Sequence, residues 1–168
     1  NPSYTLISGA NEYNFRGQWL YREFMTNDNE DREGDRFGLG FDFLHRISST
    51  LTFQSGIGGH TQEAREDHQE YDAYEGYASL YWLGWSGGAA YAQVNYEETD
   101  YDGKEILFGT GREEREQRYV LGLTHNFKDG TMGGWGLGAR LAYSDTHANI
   151  DIYEYDRTEF TVDVTRRF

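Results

Sequence analysis

Apolar and polar residues alternate along most of this chain with a period of two. In "NEYNFRGQWLY" the residues Tyr13, Phe15, Trp19 and Tyr21 share one parity, while Asn14, Arg16 and Gln18 share the other. That period is the mark of β-strands with one greasy face and one wet face. It recurs in eight stretches, near 11–25, 36–46, 51–63, 70–84, 89–99, 113–127, 134–147 and 153–168, after a lead-in over 1–10. Short connections such as "RISST", "GWSGG" and "KDGTMGG" alternate with longer polar ones. Glycine and serine in the short ones supply the backbone freedom of tight turns.

One face collects Phe37, Leu39, Phe41 and Phe43, then Leu51, Phe53 and Ile57, then Leu80 and Trp82. It continues through Ala90, Ala92, Val94 and Tyr96, Tyr119, Leu121 and Leu123, Leu137 and Leu141, and Phe160, Val162 and Val164. The other face holds Arg16, Arg22, Asp42, Gln54, Glu75, Asn95, Arg140 and Asp163, with Gly38, Gly40, Gly56, Gly58, Gly122, Gly136 and Gly138. Turning the aromatic set inward would overfill a small barrel. Turning the glycines inward leaves room there for arginines and tyrosines. The pattern therefore predicts an all-β fold, an antiparallel up-and-down transmembrane barrel of eight strands with both termini on the periplasmic side. Its lumen is filled by a charge network in which Arg16, Arg22 and Arg140 face Asp42, Glu75 and Asp163, since buried charges need partners.

Composition sharpens this. Hydrophobic residues make up 37%, aromatics 17%, and 21 residues are glycine. No run approaches the ~20 apolar residues of a membrane helix, whereas membrane strands are only half apolar. A net charge of -14 argues against a nucleic-acid partner. With no cysteine, thiolate chemistry and a disulfide framework are excluded. Stretches 26–35, 63–72 and 97–105 each carry a net charge of -4 and 145–157 carries -3, so nearly all the net charge sits in or beside the long connections. The long loops of outer-membrane barrels face outward, so these acids are expected outside the cell, beside lipopolysaccharide. Trp82, Trp85, Phe127 and Trp135 lie near the short turns, where an interfacial aromatic belt belongs.

The final stretch, "FTVDVTRRF", resembles the C-terminal signature of bacterial outer-membrane proteins. That resemblance implies recognition by the barrel assembly machinery through Phe160, Val162, Val164 and Phe168. The whole pattern resembles small barrels of the OmpA and OmpX type, implying a structural or surface-interaction role in the outer membrane. A second resemblance covers Ser144 to Phe168, where "NIDIYEYDR" leads into "RRF". It is similar to the last hairpin of larger barrels that follow a tetratricopeptide domain, the surface lipoprotein assembly modifiers among them. It implies a part of a larger translocation barrel, so both readings stand open.

Candidate chemistry is sparse. "SDTHANID" faintly resembles the His/Ser motif of lipid A deacylases, but Ala148 follows His147 where that family has serine. His60 and His68 bracket Glu63, Glu66 and Asp67 in a polar loop. Neither pattern reaches a triad or a metal-ligand spacing, so no enzymatic activity, cofactor or metal is expected. The terminal pattern generates a test. Changing Val162 and Phe168 to Asp should deplete the heat-modifiable protein from the outer-membrane fraction, and unchanged recovery there would reject the assembly-signal reading.

Overall fold

A computed structural model of the chain describes residues 1–23, 33–105 and 107–166. They form one antiparallel sheet of nine strands in sequence order. The strands are β1 (Ser3–Ser8), β2 (Asn11–Arg22), β3 (Gly34–Arg46), β4 (Leu51–Gln62), β5 (Tyr71–Trp85), β6 (Gly88–Lys104), β7 (Gly111–Asn126), β8 (Trp135–Ala148) and β9 (Tyr155–Arg166). The eight expected strands are all present. The expected lead-in is a ninth strand, so the count of eight is corrected. Its residues alternate poorly, because Ile7 shares the face of Ser3 and Thr5, yet the Gly9–Ala10 turn folds them back onto β2 with Tyr4 opposite Phe15.

The ninth strand also changes the ends of the sheet. Every ladder is antiparallel, so β1 and β9 run in the same direction, and among the described residues no hydrogen-bond ladder joins them. The sheet is open rather than a closed eight-stranded barrel. The chain does not start at the short-turn end either, since Pro2 lies along β2, where the Gly17 amide donates to its carbonyl at 2.9 Å.

The registers sort the two faces as the alternation implies. Arg16 stands opposite Gly40, Gly40 opposite Gly58, Gly58 opposite Glu75, and Glu75 opposite Glu97. Facing residues in a ladder point the same way, so this is one continuous polar face. Its glycines accommodate neighbours: a methyl at Gly40 would press on the Arg16 guanidinium, at Gly56 on Tyr77, and at Gly122 on Tyr91.

The opposite face has no protein layer over it. Leu39 is 77% exposed, Ile57 68% and Phe160 70%, and among the described residues no large side chain is fully buried. The accessible surface is 11472 Å², against about 8,500 Å² for an ordinary folded monomer of this mass. Cross-strand aromatic pairs lie along this face, Phe15 with Phe41 at 5.0 Å and Tyr13 with Phe43 at 5.4 Å between centroids. Such pairs add about 0.2–1 kcal/mol each. They stiffen the sheet without hiding it from its surroundings.

β6 and β7 run past the apolar zone that the alternation marks. There both faces become charged, yet the ladder persists because Glu98 stands opposite Arg115 and accepts a bond from it at 2.9 Å. Stretches 63–72, 97–105 and 145–157 all extend to this long-connection end. Most of 26–35, including Asp28, Glu30 and Asp31, lies outside the described residues.

Turn geometry supplies a prediction. Gly87 and Gly9 both have positive φ, at 78° and 61°, but a methyl at Gly87 also meets the Asn126 carbonyl whereas Gly9 has open space. Alanine should destabilise either site by about 1–2 kcal/mol through the left-handed backbone. Gly87→Ala should lose more than Gly9→Ala in a denaturant titration, and equal losses would show that the carbonyl clash is relieved.

Candidate functional site: the polar trough and its rim

The sheet curls around its polar face. Arg16 of β2 lines the same cavity, about 490 Å³, as Glu75 and Tyr77 of β5, Glu97 of β6, Glu116 and Arg118 of β7, and Arg140 of β8. Side chains far apart in sequence thus share one trough.

Asp42 is its best-connected carboxylate. Arg16 donates to it from Nε at 2.7 Å and from Nη2 at 3.2 Å, Tyr77 from its hydroxyl at 2.9 Å, and Asn14 from Nδ2 at 3.3 Å. Gln54 in turn donates to the Tyr77 oxygen at 2.8 Å. The Asp42 side chain is 15% exposed and that of Arg16 48%, so solvent screens only one partner.

The rest of the expected charge network is arranged differently. Arg140 lies 4.0 Å from Glu159, which also receives Arg118 at 3.2 Å and an ion pair from Arg157. Glu159 is thus the hub that sequence reasoning missed. Its parity on β9 opposite Ala142, between Arg140 and Ser144, was the available signal. Arg22 ends β2 opposite Gly34, well along the strand from Asn14, the residue opposite Asp42. Glu75 fills the space over Gly58, and Asp163 stands opposite Gly138. The ion-pair partners of Arg16, Arg118 and Arg140 each come from the next strand or the next but one.

Glu75, Glu97 and Glu116 stand directly opposite one another across β5, β6 and β7. Like charges so placed repel. They give the trough a negative row, and Arg16, Arg118 and Arg140 line the same cavity.

At the long-connection end the polar face carries a second cluster. The Arg112 guanidinium sits 3.6 Å over the Tyr101 ring and 4.4 Å over the Tyr153 ring. It donates to Glu105 at 3.1 Å and lies 3.3 Å from Glu114. Burial pushes the Glu114 carboxyl above the usual carboxylate range, against the pull of Arg112. Beside it, Arg36 donates to His60 at 2.7 Å, so His60 belongs to this packing rather than to a set with His68. His147 pairs with Asp145 at 3.5 Å on the opposite face from Ser144, which separates the Ser and His of the deacylase-like motif.

The short-turn end gathers the expected aromatics. Trp85 donates to His125 at 2.8 Å, and its ring lies 6.1 Å from Trp82. His125 contacts Phe127 at 4.5 Å, and Arg166 lies 5.1 Å over Trp135. Trp82, Trp85 and Phe127 thus make one continuous patch. Of the terminal residues, Phe160, Val162 and Val164 line the apolar face of β9, while Phe168 lies outside the described residues.

The described residues thus form a single-layer antiparallel meander of nine strands with one apolar and one charged face. The family model for surface lipoprotein assembly modifiers matches residues 6–168, and the chain belongs to that family. Comparison with curated proteins and with solved structures finds no significant match.

The trough makes a prediction about partners. Asp42→Ala should cost about 1–3 kcal/mol, because it leaves Arg16, Tyr77 and Asn14 without their common acceptor. Arg140→Leu should cost little, since Glu159 keeps Arg118 and Arg157. Denaturant titrations of both variants check the order, and a larger loss for Arg140→Leu would contradict it.

Proposed function

We propose that this chain is part of an outer-membrane β-barrel that moves or assembles lipoproteins at the cell surface, with the charged trough as a segment of its lumen. The observation that carries this reading is the open sheet of a family member: an unprotected apolar face outside, a polar trough inside, and two free edges. Bilayer cannot satisfy a bare strand edge, so a spanning sheet must close. Bacterial single-chain barrels close with an even number of antiparallel strands. Because β1 and β9 run the same way, an odd number of further strands must stand between them. That parity supports a barrel of at least ten strands in place of a closed eight-stranded one.

Dimensions favour the same reading. The apolar parity runs over nine residues from Tyr13 to Tyr21, from Tyr74 to Trp82, and from Trp135 to Tyr143. A tilted membrane strand needs about 9–11. The Trp82–Trp85–Phe127 patch then sits at the periplasmic interface, and the acidic connections face outside beside lipopolysaccharide. The role is non-enzymatic. The barrel assembly machinery is the partner in biogenesis, engaging the terminal strand by β-augmentation.

Two measurements test this. Deleting the region 1–168 from its full-length protein should leave surface lipoproteins shielded from protease added to whole cells, and undiminished surface display would reject the assembly role. The 168-residue chain alone should not form a heat-modifiable monomeric barrel in detergent. A monodisperse, fully protected barrel from this chain would refute the need for further strands.

A further inference from the structure

The connection between β8 and β9 does not loop away into solvent. Asn149 ties its start to β7 three times: its amide donates to the Glu113 carbonyl at 3.2 Å, its Oδ1 accepts from the Glu113 amide at 2.9 Å, and its Nδ2 donates to the Gly111 carbonyl at 2.8 Å. Ile150 follows, only 5% exposed. The 3₁₀ turn Asp151–Tyr153 then brings the Tyr153 ring onto Arg112 and its hydroxyl to Glu105, which accepts at 3.0 Å. Arg112 shares the parity of Glu114, Glu116 and Arg118 on β7, which is the trough face.

We propose that residues 149–154 are a strap folded over the long-connection end of the trough, hinged at Asn149 and caught by Arg112. The two halves differ in kind. The hinge is made of strand-like bonds continuous with the β7–β8 ladder. The catch is a single side chain, Tyr153, its ring stacked on a guanidinium that Tyr101, Glu105 and Glu114 already hold in place and its hydroxyl on Glu105. Arg112 is pre-organised on β6 and β7, so Tyr153 is the part that moves. Beyond the buried Ile150 next to the hinge, little else holds the turn down, because Asp151, Ile152 and Glu154 are exposed. The exposed His147 lies 3.8 Å from Glu154, a contact that solvent screens. Releasing one aromatic side chain therefore frees the turn without disturbing a strand.

The test uses the full-length protein in lipid nanodiscs and needs no lipoprotein, so its failure is separate from failure of the assembly reading. Hydrogen exchange of the Tyr153 and Glu154 amides, bonded to Ile150 and Asp151 at 3.0 and 3.1 Å, reports the strap. Tyr153→Ala should speed it by about tenfold or more, while Leu121 and Leu141 in the ladder stay protected. Tyr153→Phe, which keeps the ring, should retain most of the protection. If Tyr153→Ala is not recovered folded, Tyr153→Leu takes its place with the same expectation.

Access to the trough is read separately. This segment contains no cysteine, so Glu116→Cys provides a reporter on the cavity wall. A membrane-impermeant thiol reagent should label it several-fold faster in the Tyr153→Ala background. Unchanged exchange in Tyr153→Ala overturns the catch, as does release of the strap by Ile150→Ala alone. Faster exchange with unchanged labelling overturns the closure.

Discussion

Backbone pairing is the constraint on which this molecule depends. A soluble domain of this size is held by side chains packed between layers, but here there is one layer and almost nothing lies on top of it. The small buried set, Ala73, Ala89, Val120, Ala142 and Ile150, is too slight to hold nine strands together. The ladders between neighbours do so, each strand satisfying the next. What the ladders leave over, the outer edges of β1 and β9, is what the architecture must resolve.

Once the ladder is in place, each face follows from parity. Glycines on the polar side are the counterpart of Arg16, Tyr77 and Tyr91, because a concave surface narrows and cannot carry a large residue on every strand. Charges there pair over short distances on the sheet: Arg16 with Asp42 between the adjacent β2 and β3, Arg140 with Glu159 between the adjacent β8 and β9, and Arg118 with Glu159 across the intervening β8. Among the described residues the row Glu75, Glu97 and Glu116 makes no such pair, so the trough carries charges of both signs. On the reading proposed, a polypeptide passing through would meet both signs and little apolar surface to hold it.

The long-connection end is organised by different physics. The apolar–polar alternation has ended there, and packing becomes local: Arg36 on His60, His60 edge-on to Tyr71, Tyr71 against Tyr101, and Tyr101 under Arg112. Gly103 lets the 3₁₀ turn Asp67–Gln69 lie against β6, since a methyl there would strike the backbone of Asp67 and His68. The two connections β4–β5 and β8–β9 thus both fold onto the β6–β7 hairpin rather than standing free.

Strand existence, the two faces and the role of the glycines were legible in the chain, because alternation fixes side-chain direction whatever the neighbours do. The placement of Trp82, Trp85 and Phe127 at one end followed from counting between turns. Three things were not legible. β1 is six residues with apolar groups on both parities, so only its pairing with β2 reveals it. Charge partners depend on register, and the β8–β9 register sets Glu159 opposite Ala142, two residues along from Arg140. The contact of Tyr153 with Arg112 joins a turn to a strand forty-one positions earlier, and no periodic signal marks it. Alternation is a local property written residue by residue; closure, register and loop docking are decided only when distant strands meet.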